Sequence, residues 1–142
     1  MTKYKFQVVT ITLNPAVDQT ITISEFTLGA INRIEKVRDN AGGKCVNVAS
    51  ALADYGICVA VSGFLGRDNA AIFEDLFERK NISDHFLRID GQTRVCIKIS
   101  DPVHSETTDI NFPGIKPELD EMTAFYKQLD EIAAGGSLWI VL

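Results

Sequence analysis

An α/β fold is what this sequence predicts, in which a layered core of strands and amphipathic helices carries a second, smaller β-sheet as a lid. Three observations predict it. Apolar runs suited to buried strands alternate with stretches of helical period. Two regions far apart, 19–37 and 94–111, share the polar–apolar alternation of half-exposed strands. The chain has 142 residues, 46% of them apolar, which suffices for one core.

The elements follow in order. Lys5 to Leu13, with Val8, Val9, Ile11 and Leu13, reads as a buried strand ended by Asn14-Pro15. Gln19 to Ile23 alternates as a short second strand, and Ile31 to Val37 reads as a third in imperfect phase. Ala41-Gly42-Gly43 is expected to form a tight turn before a helix from Lys44 to Tyr55, which Gly56 stops. A strand from Cys58 to Leu65 follows, then a helix from Ala70 to Arg79 with Asp68 or Asn69 as its cap. A short strand is expected at His85 to Ile89. Arg94 to Ser100 and Glu106 to Asn111 form a hairpin. Leu119, Met122, Phe125, Tyr126, Leu129 and Ile132 mark a helix over Glu118 to Ala133, and Ser137 to Leu142 reads as a final core strand. This assigns 1–18, 39–90 and 112–142 to the core and 19–38 and 91–111 to the lid. A chain that stops on an apolar strand is expected to be part of a longer protein. No internal repeat or low-complexity stretch is present.

Composition excludes several functions. A net charge of -5 does not suit a nucleic-acid binder. No apolar run approaches the roughly 20 residues that span a bilayer, and the N-terminus lacks the features of a secretory signal. Three widely spaced cysteines, Cys45, Cys58 and Cys96, without a CxxC, fit a reducing cytoplasm rather than a disulfide framework. His85 and His104, the only histidines, show no zinc spacing and are expected at the surface. No metal site is predicted.

The most informative segment is Asp39 to Asn47. Two glycines before a helix expose backbone N–H groups at its positive end. Lys44 in the first turn opposes the helix dipole, so an anion or polar ligand would justify it, and Asn47 can reach the same space. A plain loop-to-helix turn with a surface lysine is the alternative. The segment is neither a Walker A loop nor a GxGxxG fingerprint. Asp18 follows the first core strand, where ligands bind in open α/β sheets, and can accept bonds from sugar hydroxyls or simply face water. Arg33, Arg94 and Lys98 fall in the lid strands, where they can hold phosphate or serve solubility. Asn111, before Phe112-Pro113-Gly114, is expected to hold a loop or touch a ligand.

Five segments together, TLNPAVD at 12–18, GAINRIEKVRDNAGGKCVNVASAL at 29–52, SGFLGRDN at 62–69, GQTRVCIKI at 91–99 and TDINFPG at 108–114, resemble the ribokinase-like (PfkB) carbohydrate kinases. They are most similar to the subgroup acting on fructose 1-phosphate or tagatose 6-phosphate. The resemblance covers the whole chain but only the first half of a family member. It implies a ribokinase-like three-layer αβα core, a β lid that serves as homodimer contact and substrate cover, and ATP-dependent phosphorylation with Mg²⁺ of a phosphorylated ketohexose. Fructose 1-phosphate is the favoured acceptor. Tagatose 6-phosphate, another sugar or a nucleoside are the alternatives, and a sugar-phosphate-binding or dimerisation module is the non-enzymatic one.

The same resemblance implies that Asp18 holds sugar hydroxyls and that Gly42, Gly43 and Asn47 line the sugar site, with Lys44 in the same loop. It implies that Arg94 grips the substrate phosphate, that Arg33 and Lys98 assist, one of them across a dimer, and that Asn111 sits at the base of the lid. Three converging cations would suit a phosphorylated sugar. Cys45 departs from the family, which has glycine there. The family's general-base aspartate and adenine-binding loops are expected beyond residue 142, so the 142 residues alone are expected to be inactive.

Overall fold

The structure is a computed structural model and describes residues 5–135 and 137–141. Its strands are β1 (Phe6–Thr12), β2 (Ala16–Thr22), β3 (Lys36–Gly42), β4 (Val59–Gly66), β5 (Ser83–Ile89), β6 (Val95–Asp101), β7 (Glu106–Asn111) and β8 (Ser137–Val141). The helices are α1 (Lys44–Asp54), α2 (Ala71–Arg79) and α3 (Leu119–Ala134).

Four strands form a parallel sheet in the order β5-β4-β1-β8. Side-chain alternation along β4 explains its two coverings. Val59, Val61 and Leu65 point to one face and pack with Val46 and Ala49 of α1 and Phe73 and Phe77 of α2. Phe64 points to the other and packs with Ile11, Ile89 and Phe125 of α3. Every residue of β4 is buried, which is why its sequence is an almost unbroken apolar run. Phe73 and Phe77 are 0% and 2% exposed, and such burial stabilises by about 1.5–3 kcal/mol each. The α/β class and the three layers are as the sequence predicts.

The remaining strands form a mixed sheet, β3-β2-β6-β7, in which β2 runs parallel to β6 and the outer pairs are antiparallel. Ile21, Ile23 and Ile99 form its small core. The two regions with alternating patterns are thus hydrogen-bonded to each other. β2 starts immediately after the carboxyl end of β1, so this sheet stands at that end of the parallel sheet.

Several boundaries differ from expectation. Residues 31–35 are not a strand; β3 begins at Lys36. Ile31 and Ile34 are 87% and 54% exposed, so their spacing reflects no buried face. Gly42 is not in a turn but remains paired in β3, opposite Ala16. Neither Asp68 nor Asn69 caps α2, whose N-cap is Ala70 with no side-chain bond; Arg67–Asn69 is a short 3-10 turn instead. His104 lies at the hairpin tip, but His85 is half-buried in β5, edge-on to Phe6 at 5.4 Å, and burial lowers its pKa. The three cysteines are free. Leu142, expected in the last strand, lies outside the described residues.

Candidate functional site

The site is built where the two sheets meet, around the start of α1. Asp18 is the third residue of β2, level with Asn40 of β3 and Cys96 of β6. Its carboxylate lies diagonally over Gly42: a Cβ there would stand 2.1 Å from Asp18 Oδ2 and 2.6 Å from Cγ. Glycine at 42 is therefore what makes room for the carboxylate. The Asp18 carboxylate accepts no hydrogen bond among the described residues. Its pKa is raised chiefly by burial, against the pull of Lys98 and Arg94 and with a small push from Asp109. A half-buried acceptor without a protein partner is a costly arrangement that a hydroxyl-bearing ligand would relieve.

Gly43, at φ 123°, is the N-cap of α1 and must be glycine for that conformation. No side chain caps α1 and no acidic residue lies in its first turn, so the leading N–H groups and the positive helix end stay open. Lys44 is exposed at this end.

Two cavities flank α1. One, of about 400 Å³, brings together Asp18, Asn40, Asn47, Lys98, Asp109 and Asn111. Within it Lys98 Nζ donates to Asp109 Oδ1 at 2.8 Å. The other, of about 430 Å³, lies at the carboxyl end of β1 and is lined by Thr12, Asn14, Gly43, Lys44, Cys45 and Arg94. The Arg94 guanidinium donates to the carbonyls of Pro15, Asn14 and Phe112 at 3.3, 3.4 and 3.5 Å and has no carboxylate partner among the described residues.

Of the residues expected at a site, Asp18, Asn47, Lys98 and Asn111 share one cavity, Gly43, Lys44 and Arg94 share the other, and Gly42 supports Asp18 from below. Arg33 joins neither. It lies in the β2–β3 loop, exposed, beside a separate groove formed by that loop. Arg33 stands apart from the other two cations: Arg94 and Lys98 line the two cavities that flank α1, and both act on the Asp18 carboxylate. Asn14, Asp109 and Cys96 line the cavities as well, and Gly114 leaves the room that the Asn14 carboxamide fills.

Fold and site together define an α/β protein whose second sheet stands at the carboxyl ends of parallel strands, where open sheets of this kind take small ligands. Residues 11–138 match the pfkB family of carbohydrate kinases, and the chain belongs to that family. It is 45% identical over 136 residues to a 1-phosphofructokinase of Rhodobacter capsulatus, covering 96% of this chain and 43% of the relative. It is 49% identical over 110 residues to a 1-phosphofructokinase of Xanthomonas campestris pv. campestris, covering 78% of this chain and 35% of that protein. A crystal structure of a possible 1-phosphofructokinase from Thermotoga maritima superposes with a TM-score of 0.79 at 32% identity, over 89% of this chain and 41% of the other. The chain thus spans less than half the length of the relatives it matches.

Among the described residues no group of three or more His, Cys, Asp or Glu is placed to hold a metal ion, and no helix is long and apolar enough to cross a membrane.

Proposed function

We propose that the protein carrying this chain transfers a phosphoryl group from ATP to fructose 1-phosphate, yielding fructose 1,6-bisphosphate and ADP. The observation that carries the reading is the half-buried Asp18 carboxylate, unpartnered over Gly42. Its family membership and the names of its relatives supply the substrate class. In this reading Asp18 accepts hydrogen bonds from sugar hydroxyls, with Asn47 and Asn111 beside it. The open N–H groups behind Gly43 and the Lys44 ammonium favour an anionic ligand. Arg94 holds the substrate phosphate, since its long bonds to carbonyls leave its fork available for a better acceptor. Lys98 balances the charge of Asp18 and Asp109.

Orientation of the sugar is what these residues contribute. The base that takes the proton of the attacking hydroxyl belongs, in this reading, to sequence beyond residue 142. Mg²⁺ would accompany ATP and offset phosphate charge, but the described residues offer no ligand set for it and no step is derived through it. The protein is a cytoplasmic homodimer in the same reading, associating through the second sheet, and Arg33 is available to a second copy.

The test is a coupled ADP-release assay on the full-length gene product, with fructose 1-phosphate and tagatose 6-phosphate offered separately. Preference for fructose 1-phosphate is expected. Activity on tagatose 6-phosphate alone, or on neither, overturns the proposal. The 142 residues alone are expected to show no ATP-dependent phosphorylation.

A further inference from the structure

We propose that Asn69 and Thr93 form a clamp that positions Arg94, so that the parallel sheet sets where this guanidinium stands. The inference rests on the reading of Arg94 as the holder of the substrate phosphate.

The chain leaves β5 at Ile89, turns through Gly91 at φ 98°, and enters β6 at Val95. Between them Thr93 is 1% exposed. The Asn69 carboxamide brackets its backbone: Thr93 N–H donates to Asn69 Oδ1 at 2.8 Å, and Asn69 Nδ2 donates to the Thr93 carbonyl at 2.8 Å. One side chain thus supplies the pair of bonds that a neighbouring strand would otherwise supply. The Thr93 hydroxyl accepts the Gly66 N–H at 2.8 Å, at the carboxyl end of β4. Gly66 has no room for a side chain; a Cβ there would stand 2.1 Å from Thr93 N. Asp68 N–H donates to the Gly91 carbonyl at 3.1 Å and fixes the turn upstream.

On the far side of Arg94, its carbonyl accepts the Val17 N–H at 2.8 Å, one residue from Asp18. The Arg94 Cα is therefore held between two fixed peptide groups. Its side chain, by contrast, makes only bonds of 3.3–3.5 Å to three carbonyls. Bonds that long orient weakly, so the anchored backbone decides where the guanidinium can reach. Among the described residues the Asn69 side chain hydrogen-bonds only to the Thr93 backbone, so it acts through its neighbour.

The experiment uses the full-length protein and steady-state kinetics with fructose 1-phosphate and ATP varied separately. Asn69→Ala is expected to raise KM for the sugar phosphate about tenfold, the factor carried by one misaligned charge-assisted bond, and to leave KM for ATP unchanged. Thr93→Val is expected to match it, while Thr93→Ser, which keeps the hydroxyl, restores wild-type KM. The decisive readout is the double variant. If Asn69 works through Arg94, Asn69→Ala adds less than about twofold to the effect of Arg94→Ala.

A folded Asn69→Ala enzyme with unchanged KM, or one whose effect multiplies with that of Arg94→Ala, overturns the clamp while leaving Arg94 in place. Unchanged KM in Arg94→Ala itself overturns the assignment of Arg94, and the clamp with it. Should Asn69→Ala fail to fold, Thr93→Ser against Thr93→Val decides the matter alone, equal KM values overturning the clamp.

Discussion

Gly42 and Asp18 show how one missing side chain makes a site. The carboxylate occupies the volume in which a Cβ at 42 would sit. In a strand, Gly→Ala ordinarily gains a few tenths to about 1 kcal/mol by restricting the unfolded chain. Here the clash dominates: Gly42→Ala displaces the carboxylate and is expected to raise KM for the sugar phosphate on the order of tenfold or more, measured by steady-state kinetics. Asp18→Asn separates function from stability. Burial raises the pKa of Asp18 above its ordinary 3.8, so just above that pH the folded chain holds more protons than the unfolded one. Ionised Asp18 therefore costs stability, and the cost grows as pH rises through the raised pKa. Asp18→Asn is expected to raise Tm at neutral pH, to lose that advantage below pH 3.8, and to abolish sugar binding. Calorimetry across pH, beside a binding titration, checks both; a lower Tm at neutral pH would count against the sign.

At the scale of the element, the buried Asp101 carboxylate ties the β6–β7 hairpin to the β2–β3 loop. Asp101 accepts the N–H groups of Glu25, Phe26, Val103 and His104 at 3.1, 2.8, 3.0 and 3.3 Å, and its Oδ2 lies 2.8 Å from His104 Nδ1. The His104 bond, then those backbone donors, hold its pKa far below the ordinary 3.8 against the opposing effect of burial. His104 is raised above its ordinary 6.5, by Asp101 first and by Glu106 and Glu25 more weakly. The two signs differ. The Asp101 contribution is complete above 3.8 and is lost as pH falls through its depressed value. The His104 contribution is complete below 6.5 and is lost as pH rises through its raised value. The tie is thus strongest between 3.8 and 6.5. Hydrogen exchange at the Glu25 and Phe26 amides is expected to be best protected in that window. Asp101→Ala should remove the protection, and His104→Ala should remove its loss on the alkaline side.

Across the described residues, the second sheet, its loop and the segment after β7 expose apolar side chains. Leu28 and Ile31 are each 87% exposed, with Ile34 at 54%, Val37 at 56% and Phe112 at 48%. A surface of this kind suits association with a second copy. If association runs through this face, burying Ile31 is worth about 1.5–3 kcal/mol, so Ile31→Asp is expected to weaken it by about tenfold or more. Sedimentation over a concentration series would show it, and an unchanged association constant would remove this face from the interface.

Much of the fold was legible because burial leaves a local mark. β1, β4, α1, α2 and α3 each carry a period of apolar residues that their own packing requires, and the Gly42-Gly43 pair before α1 announces a backbone left bare. The sequence alone therefore determined the layered α/β class, the second sheet's two halves, and Asp18, Asn47, Arg94 and Lys98 as residues of interest. Tertiary structure alone decided the rest. β3 exposes its first five residues and has no apolar period to betray it; pairing with β2 makes it a strand, while the apolar residues before it stay in water. Asn69 reads as a helix cap until Thr93, 24 residues on, is seen to take both ends of its carboxamide. Arg94 and Lys98 bear on Asp18 only because β6 pairs with β2, 79 residues from Pro15 to Arg94 along the chain. Hydrophobicity is a property each residue carries in its own side chain, whereas hydrogen-bond partners and shared cavities exist only once distant segments have met.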